Sequence, residues 1–267
     1  MFEARLLNGS LWKKIIESIK DVVEDANWEC SGSGISLQGM DSSHVALVSL
    51  HLKSDAFDPY RCDRNISLGL SSTNLSKILK CSSNDDSVII RTSEASDNVS
   101  FIFESSNSEK VSQFDLKLMN IDSEHLGIPD MEYDSIVKMP SNEFQRICRD
   151  LSLLGESVQI ACTKDGVQFT SSGSIGSGKI SLRPNITAEN LDDTVNIELN
   201  EAVLLTFALR YLNFFTKATS LAPRVILSFK TEHPLVVEYQ IQDIGYLKFY
   251  LAPKIEDDDT KQTTTPD

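Results

Sequence analysis

Apolar residues recur along this chain at two spacings, and the switches between them divide it into elements. Leu11, Ile15, Ile16, Ile19 and Val22-Val23 lie three and four apart, which places them on one face of a helix. Ser10 stands where an N-terminal cap is expected. Alternation follows at Gly34-Ile35-Ser36-Leu37-Gln38 and across Val45–Leu52, the period-two pattern of half-buried strands. A second short helix is predicted over Thr73–Lys80. The same grammar then returns. Phe144, Ile147, Cys148 and Leu151 fall at helical spacing behind a capping Ser141, with a further helix over Leu209–Lys217. Two short helices among many short strands, twice over, predict an α+β fold: antiparallel sheets with the helices confined to one face.

The two halves match as sequences. At a constant offset of 132, without a gap, Leu11–Leu50 falls on Glu143–Leu182. Trp12 meets Phe144, Lys14 meets Arg146, Cys30 meets Cys162 and Gly34 meets Gly166; the match ends with Val48 on Ile180 and Leu50 on Leu182. Further on, an offset of 137 sets Leu75 on Leu212, Ile78 on Phe215, Lys80 on Lys217 and Val88 on Val225. Apolar classes agree through both helical and strand-like stretches, so the chain reads as two tandem copies of one domain. Their expected extents are 1–118 and 135–256. Between them, 119–134 is acidic, broken by Gly127 and Pro129, and has no sustained period, which predicts an extended connector. The polar segment 257–267 has no hydrophobic anchor and is expected to be disordered.

Composition refines this picture in two places. Five scattered cysteines with no C-x-x-C pair among 267 residues suit reduced thiols in the cytosol or nucleus better than a disulfide or zinc framework. No apolar run approaches a membrane span, and Met1–Arg5 lacks the basic start of a secretory signal, so the Asn-x-Ser/Thr triplets at Asn8, Asn65, Asn98 and Asn185 are expected to be coincidental. The net charge of −14 argues against a nucleic-acid partner until its distribution is considered. The predicted helical segments Ser10–Lys20, Ser72–Lys80, Asn142–Leu151 and Arg210–Lys217 together carry +6, which leaves −20 for everything else. Helices gathered on one sheet face would make a basic surface on an acidic protein. Such a surface attracts phosphate backbones without reading sequence, although solvated helix faces are lysine-rich in many proteins.

Enzyme chemistry finds little support. Gly173-Ser174-Ile175-Gly176-Ser177-Gly178-Lys179 satisfies G-x-x-x-x-G-K, but Ile180 stands where a magnesium-binding Ser or Thr is needed and the segment continues as a strand. His44, His51, His125 and His233 show no metal-ligand spacing, and no cysteine lies in a nucleophile motif. No cofactor, no metal and no catalytic residue are expected.

Longer strings carry a specific resemblance. Met40-Asp41-Ser42-Ser43-His44-Val45, Tyr60-Arg61-Cys62-Asp63-Arg64-Asn65, Leu126-Gly127-Ile128-Pro129, Ile147–Ser152, Leu205–Thr219 and Tyr250–Glu256 resemble the proliferating cell nuclear antigen family of DNA sliding clamps, and the likeness runs from Met1 to about Asp259. It implies a closed ring of three two-domain subunits with the helices on its inner face. The ring would encircle double-stranded DNA in the nucleus as a polymerase processivity factor. Lys13, Lys14, Lys20, Lys77, Lys80, Arg149, Arg210 and Lys217 would line the hole. Polymerases, a clamp loader and other proteins bearing clamp-binding peptides would plug a short helix and an aromatic pair into a pocket beneath the connector. By the same resemblance that pocket uses Met40, His44, Val45, Leu47, Leu126, Gly127, Ile128, Tyr133, Pro234, Tyr250, Leu251, Ala252 and Pro253. His233 stands beside it, where the family usually has an apolar residue. Subunits would meet head to tail through Glu109–Lys117 and Ser174–Leu182, with Lys110, Phe114, Arg146, Leu151, Ile175 and Gly178 at the contact. Lys164 matches a lysine that the family uses as a ubiquitin acceptor. The alternative is a subunit of a heteromeric checkpoint-type clamp ring.

Overall fold

The alternating segments form strands and the three-and-four spacings form helices, except that Val22 and Val23 fall in the turn after the first helix, in the computed structural model, which describes residues 1–93, 96–107, 109–122, 126–129, 131–185 and 191–255. The predicted tail at 257–267 lies outside those residues. The first half runs β1 (Phe2–Leu6), α1 (Gly9–Ile19), β2 (Asp25–Ser31), β3 (Gly34–Met40), β4 (Ala46–Lys53), β5 (Tyr60–Cys62), β6 (Ile66–Ser71), α2 (Ser72–Leu79), β7 (Ser87–Thr92), β8 (Asn98–Glu104) and β9 (Val111–Lys117). The second repeats it as β10 (Ser135–Pro140), α3 (Ser141–Ser152), β11 (Ser157–Thr163), β12 (Gly166–Gly173), β13 (Gly176–Leu182), β14 (Asn196–Leu199), β15 (Val203–Ala208), α4 (Leu209–Phe215), β16 (Arg224–Phe229), β17 (Leu235–Ile241) and β18 (Gly245–Leu251). A 3-10 turn over Thr216–Leu221 prolongs α4.

Among the described residues the strands pair only antiparallel, in three sheets. The largest joins five strands of the second domain, β14-β10-β16-β17-β18, to four of the first, β4-β3-β2-β6, through the pairing of β18 with β4. The counterparts of those halves, β5-β1-β7-β8-β9 and β13-β12-β11-β15, stand apart, and among the described residues each ends on an unpaired edge strand, β9 or β13. The apolar stripe of α1 (Trp12, Ile15, Ile16, Ile19) and that of α3 (Phe144, Ile147, Cys148, Leu151) are buried against the sheets. Each isoleucine, leucine and phenylalanine among them contributes about 1.5–3 kcal/mol by leaving water. α1 also packs on α2, on α4 and on the 3-10 turn, while α3 packs on α4. The four helices therefore make one layer that crosses the domain boundary.

Three local expectations are corrected. α1 is capped by Asn8 rather than Ser10: Asn8 Oδ1 accepts the Ser10 N–H at 3.1 Å and the Ser10 hydroxyl at 2.6 Å. Ser141 does not cap α3 but is its first residue, with a buried hydroxyl. The gapless offset of 132 fails at the last matched strand. β3 pairs Leu37 with Leu50, whereas β12 pairs Phe169 with Ile180, so Leu50 matches Ile180 and Leu52 matches Leu182. The β3–β4 turn is two residues longer. An even slip keeps every side chain on its own face of the sheet, which is why the apolar pattern ran through it unbroken.

Candidate partner groove, helix face and sheet edges

The β3–β4 turn is built around one carboxylate. Asp41 Oδ1 accepts the N–H groups of Val45 (2.8 Å) and Ala46 (2.7 Å), and Oδ2 accepts from Ser43 N (3.1 Å) and the Tyr211 hydroxyl (2.7 Å). Burial by itself would raise its pKa. The hydrogen bonds from Ala46, Tyr211, Val45 and Ser43 outweigh burial and hold it below the usual carboxylate range. Tyr211 belongs to α4, so this turn is pinned to the second domain, and it presents His44 in the left-handed region at φ 56°. Asp41→Ala is expected to cost about 1–3 kcal/mol by leaving buried donors unpaired. A lowered folded pKa means that the stabilisation is complete above the unfolded value of 3.8 and is lost as pH falls through the folded value. Denaturant melts from pH 6 down to about pH 3 should show the Asp41→Ala deficit shrinking with acidity; a deficit independent of pH would contradict this role.

Across β4 from that turn, β18 pairs Tyr250 with Leu47, both facing outward. The connector crosses above them. Gln38 holds it through reciprocal bonds, Nε2 to Leu126 O (2.9 Å) and Oε1 from Leu126 N (2.7 Å), and Asn27 Nδ2 donates to Ile121 O (2.9 Å). Between connector and sheet lies an apolar groove of about 390 Å³. Met40, His44, Val45, Leu47, Leu126, Gly127, Ile128, Tyr133, Pro234, Tyr250 and Ala252 line it. Leu251 does not: it is fully buried, because alternation along β18 turns it to the core when Tyr250 faces the groove. Pro253 is not part of the lining either. Ala46, Pro129, Met131, His233 and Val236 complete the lining. Of these, Pro129 and Met131 lie in a connector with no period to mark them. Burial, together with the neighbouring Tyr133, Tyr246 and Glu238, pushes the Tyr250 hydroxyl up to about 12, so it remains a donor at neutral pH.

On the helix layer, Lys14, Lys77, Lys80, Arg149, Arg210 and Lys217 are exposed, and Lys13 and Lys20 are half-buried. Several are steered by neighbours. Lys13 Nζ donates to Ser82 O at 2.6 Å, Lys20 pairs with Glu17 at 2.6 Å, Arg149 pairs with Asp150 at 3.1 Å, and Lys217 meets Asp21 across the domain boundary. Arg210 stacks 5.5 Å over Phe214. Among the described residues Lys14, Lys77 and Lys80 make no ion pair.

At the β9 and β13 edges, Phe114 is half-buried on β9, 5.5 Å from Phe103. Gly178 lies on β13, where a Cβ would come within 2.4 Å of Leu154 Cδ1 and 3.3 Å of Leu151 Cδ2. Leu151 is buried beneath that strand; the exposed leucine there is Leu153. Ile175 tips the β12–β13 turn at 74% exposure, Lys110 is exposed beside β9, and Arg146 reaches Asp150 at 3.7 Å. The whole Gly173–Lys179 segment is hairpin and strand, not a loop opening a helix. Lys164 is exposed in the β11–β12 turn.

Two tandem copies of one domain, antiparallel sheets outside and a shared helix layer, are the architecture of a DNA clamp subunit. Family models agree: the proliferating cell nuclear antigen N-terminal domain matches residues 1–125 and its C-terminal domain matches residues 127–254. The chain belongs to the proliferating cell nuclear antigen family, and its domains are those of a sliding clamp.

Proposed function

We propose that three copies of this chain close into a ring around duplex DNA, hold replicative polymerases to their template, and dock other replication and repair proteins in the groove beneath the connector. One observation carries the closure: the chain already contains a copy of the junction it needs. β18 pairs with β4 inside the large sheet, while their counterparts β9 and β13 are both edge strands, each without a partner on its outer side among the described residues. Phe114 matches Phe249, each beside the equivalent ring of the preceding strand (Phe103 at 5.5 Å, Tyr239 at 6.3 Å), and Gly178 matches Val48. Carrying the β18–β4 register across sets Phe114 opposite Gly178, Ser112 opposite Ile180 and Leu116 opposite Gly176. Different edges that meet head to tail give rings when the rotation closes.

In such a ring the helix layer faces the hole, and its lysines and arginines meet phosphates without reading bases. Acidic residues elsewhere discourage DNA from the outside. The contribution to a bound polymerase is effective concentration rather than chemistry. Retention should therefore be topological. After loading, the protein is expected to stay on circular DNA through a high-salt wash and to be lost when one cut linearises the circle; loss from both forms alike would contradict encirclement.

The groove suits an apolar helical anchor on a partner peptide. Ile128→Ala combined with Tyr250→Ala is expected to weaken binding of a clamp-binding peptide by about 2–4 kcal/mol, roughly 30- to 1000-fold, with trimer mass unchanged. Calorimetry giving the same affinity for the variant would remove the groove from the account.

A further inference from the structure

On the outer face of the same two edge strands stand opposite charges that make no ion pair among the described residues. Asp115 on β9 is exposed, and its Oδ1 accepts from Ser100 Oγ at 2.6 Å and Gln113 Nε2 at 3.0 Å. Those two bonds fix the carboxylate and hold its pKa below the usual range. Lys179 on β13 is likewise exposed and makes no ion pair among the described residues. A charge held in place at an unpaired sheet edge either wards off other strands or selects one.

The internal junction says which strand is selected. Its outward pairs are Tyr250 with Leu47, Lys248 with Ser49 and Tyr246 with His51. Carried to the free edges, these become Asp115 with Ser177, Gln113 with Lys179 and Val111 with Ser181. Asp115 and Lys179 then lie on one face as diagonal neighbours. A lysine can span such a diagonal: on the outward face of the β10–β14 pair, Lys138 stands opposite Asn196 yet reaches Glu198 Oε1, two residues on, at 2.7 Å. On β8–β9 the shorter side chains of Ser100 and Gln113 approach across the other diagonal, at 3.5 Å. Carried to β9–β13, the diagonal that Lys138 and Glu198 use is Asp115 with Lys179.

We infer that Asp115 of one copy and Lys179 of the next form an ion pair on the outside of each junction, which fixes the register and favours a second copy of this chain as the strand that docks there. The inference rests on the ring reading above. Both side chains are exposed, so reversing them leaves the core untouched.

The test is a charge swap read by sedimentation equilibrium. Asp115→Lys and Lys179→Glu are each expected to raise the concentration at which the ring half-dissociates by roughly two- to fivefold at low salt. The double reversal should return it to within about twofold of the unchanged chain, and all four proteins should converge near 0.5 M salt, where exposed charges are screened. Single reversals without effect, or a double reversal no better than the singles, in rings that still form, would overturn the ion pair and leave the ring reading intact. An unchanged chain that never assembles would overturn the ring reading and the ion pair with it.

Discussion

Phe114→Ala is expected to leave the chain a monomer at micromolar concentrations at which the proposed function requires the unchanged chain to be a trimer. Phe114 is already half-buried against Phe103 at an open sheet edge. The register borrowed from β18 and β4 places it over Gly178, where the missing side chain leaves the surface of Leu154 and Leu151 within reach. An aromatic ring set into a gap of this kind is the sort of anchor whose truncation costs 2 kcal/mol or more. A closed ring of three copies would make that contact three times. About 6 kcal/mol is then lost per assembly, roughly four powers of ten in the trimer association constant. Sedimentation velocity checks this directly: a variant that sediments as a trimer over the same range would show that the edges meet in another register or not at all. Thermal unfolding of the variant should still be cooperative, since only part of the ring is packed within its own subunit.

The second large effect concerns the helix layer. Changing Lys20, Lys77, Arg149 and Lys217 together to alanine is expected to weaken DNA association and loading while the trimer persists, because none of the four lies on β9 or β13. Phosphate contacts release counterions, so each one lost flattens the dependence of log K on log salt by about 0.9. If four contacts disappear at once, the slope falls by roughly 3 to 4. Lys20 and Lys217 have carboxylate neighbours, Glu17 and Asp21, and removing those lysines also leaves the carboxylates facing the DNA, which adds repulsion to the lost attraction. An unchanged affinity and an unchanged salt slope would mean that the duplex does not pass along this face.

Much of this was legible in the sequence because the fold is repeated. Trp12 on Phe144 and Leu75 on Leu212 report the same buried helical positions twice, and Gly34 and Gly166 mark the same hairpin, with φ of 137° and 146°. What escaped did so for physical reasons. A two-residue insertion in the β3–β4 turn preserves the in-and-out alternation, so Leu50 seemed to match Leu182 when it matches Ile180. Asn8 and Ser10 are both good caps, and only the hydrogen bond tells them apart. Leu251 and Tyr250 are adjacent in a string that resembles the family, but adjacent strand residues face opposite ways, and only Tyr250 looks into the groove. Met131 and Pro129 are brought there by the path of the connector, which Gln38 and Asn27 set from strands about a hundred positions earlier in the chain. Asp115 and Lys179 look like ordinary solvent-facing positions until the internal β18–β4 junction is laid over the β9 and β13 edges.

The central claim is closure of three identical chains, and molar mass in solution tests it most directly. Light scattering over a range of concentrations should give about 89 kDa, three times the 29.7 kDa of the chain, with the mass falling only on strong dilution. A mass of 29.7 kDa that persists at high concentration would contradict it, and would mean that β9 and β13 await a different subunit.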